Sequence, residues 1–334
     1  MKQSGRRGRH PSQRLGLWLA AAALALSLLT LLVLTEFTHT FTWSDVFEFA
    51  GLVQTDGAQA EQGGPAPEQP AIDSLGDGVL RVSVLDVGQA DSILIESGDF
   101  VALIDAGDYF SERAIADGLR ARGIARIDLL VATHPHRDHI GGMAALIGEF
   151  EIGKVLFTTY SDELTPTNTT YMNLLNALID ASFQTVTAAT GEVIEMPLGA
   201  LTVLSAGGYN ELNDCSLVIR CDYGETSFLL TGDAGFAVEN AMMADGLPLA
   251  CDVLKAGHHG SKYATSAAFL EAVGPAYVAV SCGVDNQYGY PTEEFLDRVQ
   301  AAGAAVLRTD LDGDIVFLSD GASVRAATET KEAA

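Results

Sequence analysis

The chain has 334 residues, 48% of them hydrophobic, with 19 basic and 44 acidic residues and a formal net charge of −25 at pH 7. That length and apolar content supply a core for one large domain or two ordinary ones, and they exclude an intrinsically disordered protein. The acidic balance excludes a surface that attracts polyanions non-specifically, so any nucleic-acid contact must be local or helped by cations.

Residues 1–14 carry Lys2, Arg6, Arg7, Arg9 and Arg14 and precede an uncharged apolar run at 15–34. As a helix that run is roughly 30 Å long, enough to cross a bilayer. Five cations before it, against Glu36, Asp45 and Glu48 after it, predict a cytoplasmic N-terminus and an exported remainder. The alternative is a cleaved signal peptide. Its apolar core is usually shorter, and the sequence after Leu34 offers no small-x-small cleavage site, so the expectation is an uncleaved single-pass anchor in the cell membrane. The exported part then holds 14 basic against 44 acidic residues, a charge of −30. Residues 35–78 read as a disordered linker, because 54–70 is dense in Gly, Ala, Pro, Gln and Glu. The aromatic residues Phe37, Phe41, Trp43, Phe47 and Phe49 suit the membrane interface.

From residue 79 the pattern changes to short apolar or alternating runs, which predict strands at 79–87, 92–96 and 100–105 and a helix at 111–122. A strand at 127–133 follows, then a helix near 143–150, a strand at 154–159 and a helix near 171–183. Strands are expected at 201–205, 216–221 and 227–231. The last third alternates: helices at 236–244, 266–273 and 293–301, strands at 252–256, 277–281, 305–309 and 314–318. This mixture predicts one α/β (α+β) domain at 79–325, sheets inside and helices outside, with a tail at 326–334. Cys215, Cys221, Cys251 and Cys282 lack metal-finger spacing and read as buried small hydrophobes, with two disulfides as the alternative.

The densest chemistry lies in Thr133-His134-Pro135-His136-Arg137-Asp138-His139-Ile140-Gly141-Gly142, directly after the apolar strand at 127–133. Pro135 keeps His134 extended, so His134 and His136 leave the chain on one side and can grip one cation together. Asp138 and His139, on the following turn, can hold a second, and Gly141 and Gly142 allow close backbone approach. Imidazole and carboxylate together suit a borderline divalent metal such as zinc. A polar turn capping a helix, or a structural metal site, is the bland alternative. Half of a two-metal hydrolytic site is the expectation.

Further candidates stand at other strand ends, where a rigid scaffold presents ligands. The turn Asp86 to Ser92 carries Asp86 and Asp91, and ordinary turn chemistry explains it equally well. Asp105 is placed to accept a hydrogen bond from a ligating histidine and fix its tautomer. Asn213 and Asp214 open a strand, with Asp214 expected in a supporting role like that of Asp105. Asp233 closes an apolar strand and can bridge two cations, or simply cap the helix that follows. His258 and His259, in Lys255-Ala256-Gly257-His258-His259-Gly260-Ser261, repeat the order strand, histidines, glycine. One of them is expected to complete the second metal position and the other to meet substrate, without the sequence saying which.

Taken in order, these stations resemble the metallo-β-lactamase fold superfamily, and specifically the hydrolase domain of ComEC-type DNA-uptake competence proteins. The resemblance rests on 85–92, Ile104-Asp105-Ala106-Gly107, His134 to Gly142, Asn213-Asp214-x-Ser216, Thr231-Gly232-Asp233-Ala234, 254–261 and Tyr288-Gly289-Tyr290-Pro291. It implies an αββα sandwich with two metal ions, zinc or manganese, at one edge of the sheets. His134 and His136 would hold the first ion, Asp138 and His139 the second; Asp233 would bridge, and His258 and His259 would supply a further ligand. This chain departs from the pattern in two places. Many members carry a third histidine near 213 or 214, and competence-type proteins usually read Tyr-Gly-His-Pro where Tyr290 stands here.

The expected activity is hydrolysis of a phosphodiester, as a nuclease or phosphodiesterase related to DNA uptake, by water that two cations activate. Asp138, His259 and Lys255 are the residues assigned to catalysis, with Lys255 or Ser261 assisting at the phosphate. Alternatives on the same scaffold are a lactonase, thioesterase or β-lactamase-like hydrolase, or a catalytically weak binding or assembly factor. Expected partners are the membrane, DNA or another phosphodiester, and a competence membrane channel.

Overall fold

The computed structural model describes residues 76, 78–183 and 185–328. The predicted anchor, its basic flank and nearly all of the linker lie outside the described residues. Two sheets face each other. The first holds β1 (Leu80–Val84), β2 (Ile93–Ser97), β3 (Phe100–Ile104), β4 (Arg126–Ala132), β5 (Glu151–Phe157), β6 (Val186–Thr187), β14 (Ile315–Ser319) and β15 (Val324–Thr328). Its order is β15-β14-β1-β2-β3-β4-β5-β6. The second holds β7 (Val193–Glu195), β8 (Ala200–Ala206), β9 (Leu217–Tyr223), β10 (Thr226–Leu230), β11 (Val253–Lys255), β12 (Tyr277–Val280) and β13 (Ala305–Arg308). Its order is β13-β12-β11-β10-β9-β8-β7.

The apolar runs are nearly continuous because most central strands are covered on both faces. In β3, Ala102 and Ile104 enter the core between the sheets, while Val101 and Leu103 pack under helices on the outer side. In β10, Phe228 and Leu230 face the same inner core, and Leu229 meets the helices behind the second sheet. Helices Glu112–Ala121, Met143–Glu149 and Thr169–Asp180 cover the first sheet; Phe236–Ala244, Ala267–Val273 and Glu293–Ala302 cover the second. The layers are therefore helix, sheet, sheet, helix.

Elements that the periodicity did not reveal are short or carry little apolar signal: β6, β7, helices Arg137–Ile140 and Thr309–Asp312, and β15. β15 pairs antiparallel with β14 through Val324 to Thr328 and so runs past the predicted domain end at 325. The first strand stops at Val84, short of the predicted 87. The four cysteines are free and buried, as small hydrophobes rather than disulfide partners.

Parallel pairing directs the chemistry to one edge. β3 and β4 are parallel in the first sheet; β10, β11 and β12 are parallel in the second. Their C-terminal ends deliver Asp105, His134, Asp233, His258 and Ser281 to the same end of the sandwich.

Candidate metal centre

His134 and His136 leave the end of β4 with His134 Nε2 and His136 Nδ1 3.1 Å apart, both aimed at one space. The chain then turns into helix Arg137–Ile140, which places Asp138 and His139 differently from the first two. This turn is held from behind: Asp91 N–H donates to the Asp138 carbonyl at 3.0 Å, and Ala106 N–H to the His139 carbonyl at 2.7 Å. The helix lies so close to the β3 loop that a Cβ on Gly142 would run into the Ala106 carbonyl oxygen.

Asp233 lies between the two groups. Its Oδ2 is 3.6 Å from His134 Nε2 and 3.7 Å from His258 Nε2, while its Oδ1 is 3.3 Å from His139 Nε2 and 3.7 Å from His259 Nε2. Asp138 Oδ2 reaches His259 Nε2 at 3.4 Å. Two sets of donors lie on opposite sides, His134, His136 and Asp233 on one and Asp138, His139 and His259 on the other, and Asp91 forms a third, overlapping group with His139 and Asp233. The consecutive histidines divide between them because both adopt left-handed backbone, with φ of 49° at His258 and 56° at His259. Such conformations cost a non-glycine residue about 1–3 kcal/mol and collect at functional sites.

The division sharpens the expectation for this pair. His259 is buried against the second set. His258 stays half-buried beside Asp233, and Asn213 Nδ2 is 3.4 Å from its Nδ1. A third imidazole thus stands near the first set although position 213 carries none.

The remaining predicted residues fall as follows. Asp105 is buried; its Oδ2 is 2.6 Å from His139 Nδ1, and Thr133 donates to it through N–H at 2.9 Å and Oγ at 2.6 Å. Asp214, in contrast to Asp105, which meets His139, is tied to backbone. Its Oδ1 accepts from Gly235 N–H at 2.9 Å and so tethers the loop that carries Asp233. Lys255 requires correction as a catalytic residue: its side chain is 1% exposed, and Nζ donates to Asp91 Oδ2 and the Ala256 carbonyl at 2.9 and 3.0 Å. β11 is covered on both faces, so the side chain ends in a buried pair instead of at substrate.

Several contributors were not assigned from sequence. Ser216 Oγ accepts from Asp233 N–H at 3.0 Å and lies 3.2 Å from His134 Nδ1, as does Thr133 Oγ1. The Ser281 carbonyl accepts from His259 Nδ1 at 3.1 Å, which leaves Nε2 free. A hydroxyl or a carbonyl carries no spacing signal; these partners are visible only when the strands are assembled.

Electrostatics follow from burial among these groups. Burial opposes a positive charge on His139, yet Asp233 and Asp105 outweigh it and hold the imidazole well above its ordinary pKa. His259 is raised against the same burial by Asp233 and Asp138. Burial drives His134 well below, and His136 below, the usual value. Burial would raise Asp233, but His139 and His259 pull it well below the usual carboxylate range. His139 Nε2, His259 Nε2 and Asp233 Oδ1 are buried without hydrogen-bond partners while converging on one point. Orphaned buried donors and acceptors are costly, and a divalent cation satisfies all three. Imidazole and carboxylate are the donors such a cation accepts.

A two-sheet sandwich with paired His and Asp clusters at one edge defines the class of metal-binding α/β sandwich proteins. The family model of the metallo-β-lactamase superfamily matches residues 85–284, and the chain belongs to that superfamily. Curated proteins to which it is similar include the following two. ComE operon protein 3 of Bacillus subtilis (strain 168) is 28% identical over 273 residues, covering 74% of this chain and 34% of that protein. Competence protein ComA of Neisseria gonorrhoeae is 31% identical over 240 residues, covering 71% of this chain and 32% of that protein. The chain therefore spans about a third of the length of the curated relatives it matches. Among solved structures, the metallo-β-lactamase fold protein YhfI from Bacillus subtilis aligns with a TM-score of 0.48 at 12% identity, over 73% of this chain and 100% of that one.

Proposed function

We propose that this protein is a metal-dependent hydrolase that cleaves phosphodiesters at the Asp233 centre, as a nuclease or phosphodiesterase related to DNA uptake. The observation that carries the reading is the convergence of three unpartnered buried atoms, His139 Nε2, His259 Nε2 and Asp233 Oδ1, between two clusters of ligand-type side chains. His134, His136 and Asp233, with His258 beside them, would hold one cation; Asp138, His139, His259 and Asp233 would hold the other. When bound, a pair of divalent cations, zinc or manganese, supplies water deprotonated near neutral pH and polarises a phosphoryl oxygen.

The chain's own residues prepare that chemistry. Asp105 accepts from His139 Nδ1 and the Ser281 carbonyl from His259 Nδ1, so both rings present Nε2 inward. Ser216, by accepting from Asp233 N–H, holds Asp233 in place between the two sets. His258, half-buried at the rim, is the imidazole placed to meet substrate. The similarity to competence proteins supports the link to DNA uptake, and the apolar run at 15–34 supports anchoring in the cell membrane with this domain outside the cytoplasm. A competence membrane channel is the partner that this placement suggests.

Replacing His136→Ala and Asp138→Ala together tests the reading, with one ligand lost from each set. Metal-stimulated hydrolysis of bis(p-nitrophenyl) phosphate should disappear; undiminished turnover would sink the assignment. A panel of plasmid DNA, a lactone, a thioester and a β-lactam separates the phosphodiester reading from other hydrolases on this scaffold.

A further inference from the structure

The rim of the metal centre carries aromatic side chains that no part of the hydrolytic machinery uses. Tyr288 is 58% exposed, and its ring lies near-parallel to that of Tyr290, with centroids 5.6 Å apart and planes 20° from each other. Tyr290 meets His258 edge-on with centroids 5.6 Å apart. The stack therefore begins against the histidine whose Nε2 is 3.7 Å from Asp233.

The loop beneath the stack is built to hold it still. Asn286 Nδ2 donates to the carbonyls of Gly283 and Tyr290 at 3.0 and 2.6 Å, and Tyr290 N–H returns a bond to Asn286 Oδ1 at 3.0 Å. Thr292 N–H donates to the Gly260 carbonyl at 3.0 Å, locking the loop onto the histidine turn. Only glycine fits there, since a Cβ at position 260 would stand 2.6 Å from Pro291 Cβ. A second exposed aromatic pair, Tyr109 and Phe110, lies by the other histidine segment, with the Arg137 guanidinium 5.6 Å over the Tyr109 ring.

We propose that Tyr288 and Tyr290 form a stacking platform for an unpaired nucleobase next to the phosphodiester held at the metal centre, so that the substrate is single-stranded nucleic acid. This rests on the proposed phosphodiesterase activity and names its substrate class. A rigid tyrosine stack offers large contact area at low entropy cost. Stacking tolerates any base and replaces the phosphate electrostatics that a chain with 14 basic and 44 acidic residues beyond its N-terminal segment cannot supply. In a duplex the faces of the bases are already occupied, so paired substrate gains nothing from the platform.

The test is fluorescence anisotropy of a labelled oligothymidylate with the metal-free full chain, beside the same oligomer lacking its bases, a duplex, and a polyol phosphodiester. Wild type should bind the base-containing strand best, with weak salt dependence. Tyr288→Ala should weaken it by about ten-fold, the scale of one stacked base, and Tyr288→Phe should restore it. Equal binding of the abasic strand or of the polyol phosphodiester, or unchanged binding by Tyr288→Ala, overturns the proposal. A protein that binds the strand through Tyr288 but hydrolyses no phosphodiester when metal-loaded refutes the activity and leaves the platform standing.

Discussion

Lys255 shows how far a residue's role depends on what surrounds it. Beside two histidines in sequence, its ammonium suits a developing phosphate charge; in the fold it is 1% exposed and paired with Asp91 at 2.9 Å. The carboxylate of Asp91 is buried too; burial would raise its pKa, and Lys255 lowers it. Removing one partner of such a pair leaves a buried charge uncompensated. Lys255→Ala should therefore lose about 3–5 kcal/mol of stability in urea denaturation, and the double change Asp91→Leu with Lys255→Met should recover most of it. A variant that keeps full stability and loses only turnover would return Lys255 to the catalytic set. His139 and the His258/His259 pair, by contrast, were legible as ligand-type residues, because imidazoles beside a carboxylate or a glycine turn at a strand end have few other uses, although the sequence did not say which of the pair turns inward.

At the scale of elements, the site depends on loops pressed together without side chains between them. Helix Arg137–Ile140 carries Asp138 and His139 and is held against the β3 loop by the bond from Ala106 N–H to the His139 carbonyl. Gly142 faces the Ala106 carbonyl with no room for a methyl group. Gly142→Ala should cost about 1–3 kcal/mol by overpacking. It should also displace Asp138 and His139, so elemental analysis should find metal content reduced along with the urea midpoint; full metal content in the variant would contradict the placement. Most strands and the longer helices were readable from periodicity, since strands covered on both faces are uniformly apolar. β6, of two residues, and the four-residue helices contain too few positions to show a period.

For the whole molecule, the two sheets meet through one core, and the metal centre spans their common edge. A cation bound across that edge ties the sheets together and stabilises the fold by mass action, about 2.7 kcal/mol at a hundred-fold excess over Kd. The sign of its pH dependence follows from His139 and His259, both raised above the ordinary imidazole value by Asp233 and its neighbouring carboxylates. Below those raised values each ring carries a proton that a cation must displace, so apparent affinity falls in acid and rises with pH until the rings are neutral. The increase in melting temperature on adding manganese or zinc should accordingly grow from about pH 6 to about pH 8. An increase of equal size across that range would show that no proton is displaced.

The sequence by itself determined the α/β class, the order of the long elements and the ligand-type residues. Apolar periodicity and His-x-His-x-Asp-His spacing are local properties, set by side-chain direction along a few residues of backbone. Only the tertiary structure decided that His258 and His259 serve different sides of Asp233, that Asp214 tethers a loop, that Ser216 and Ser281 orient the histidines, and that Lys255 is buried. Each of those depends on which strand ends come to lie side by side, and such contacts join residues far apart in the chain, where no local pattern records them.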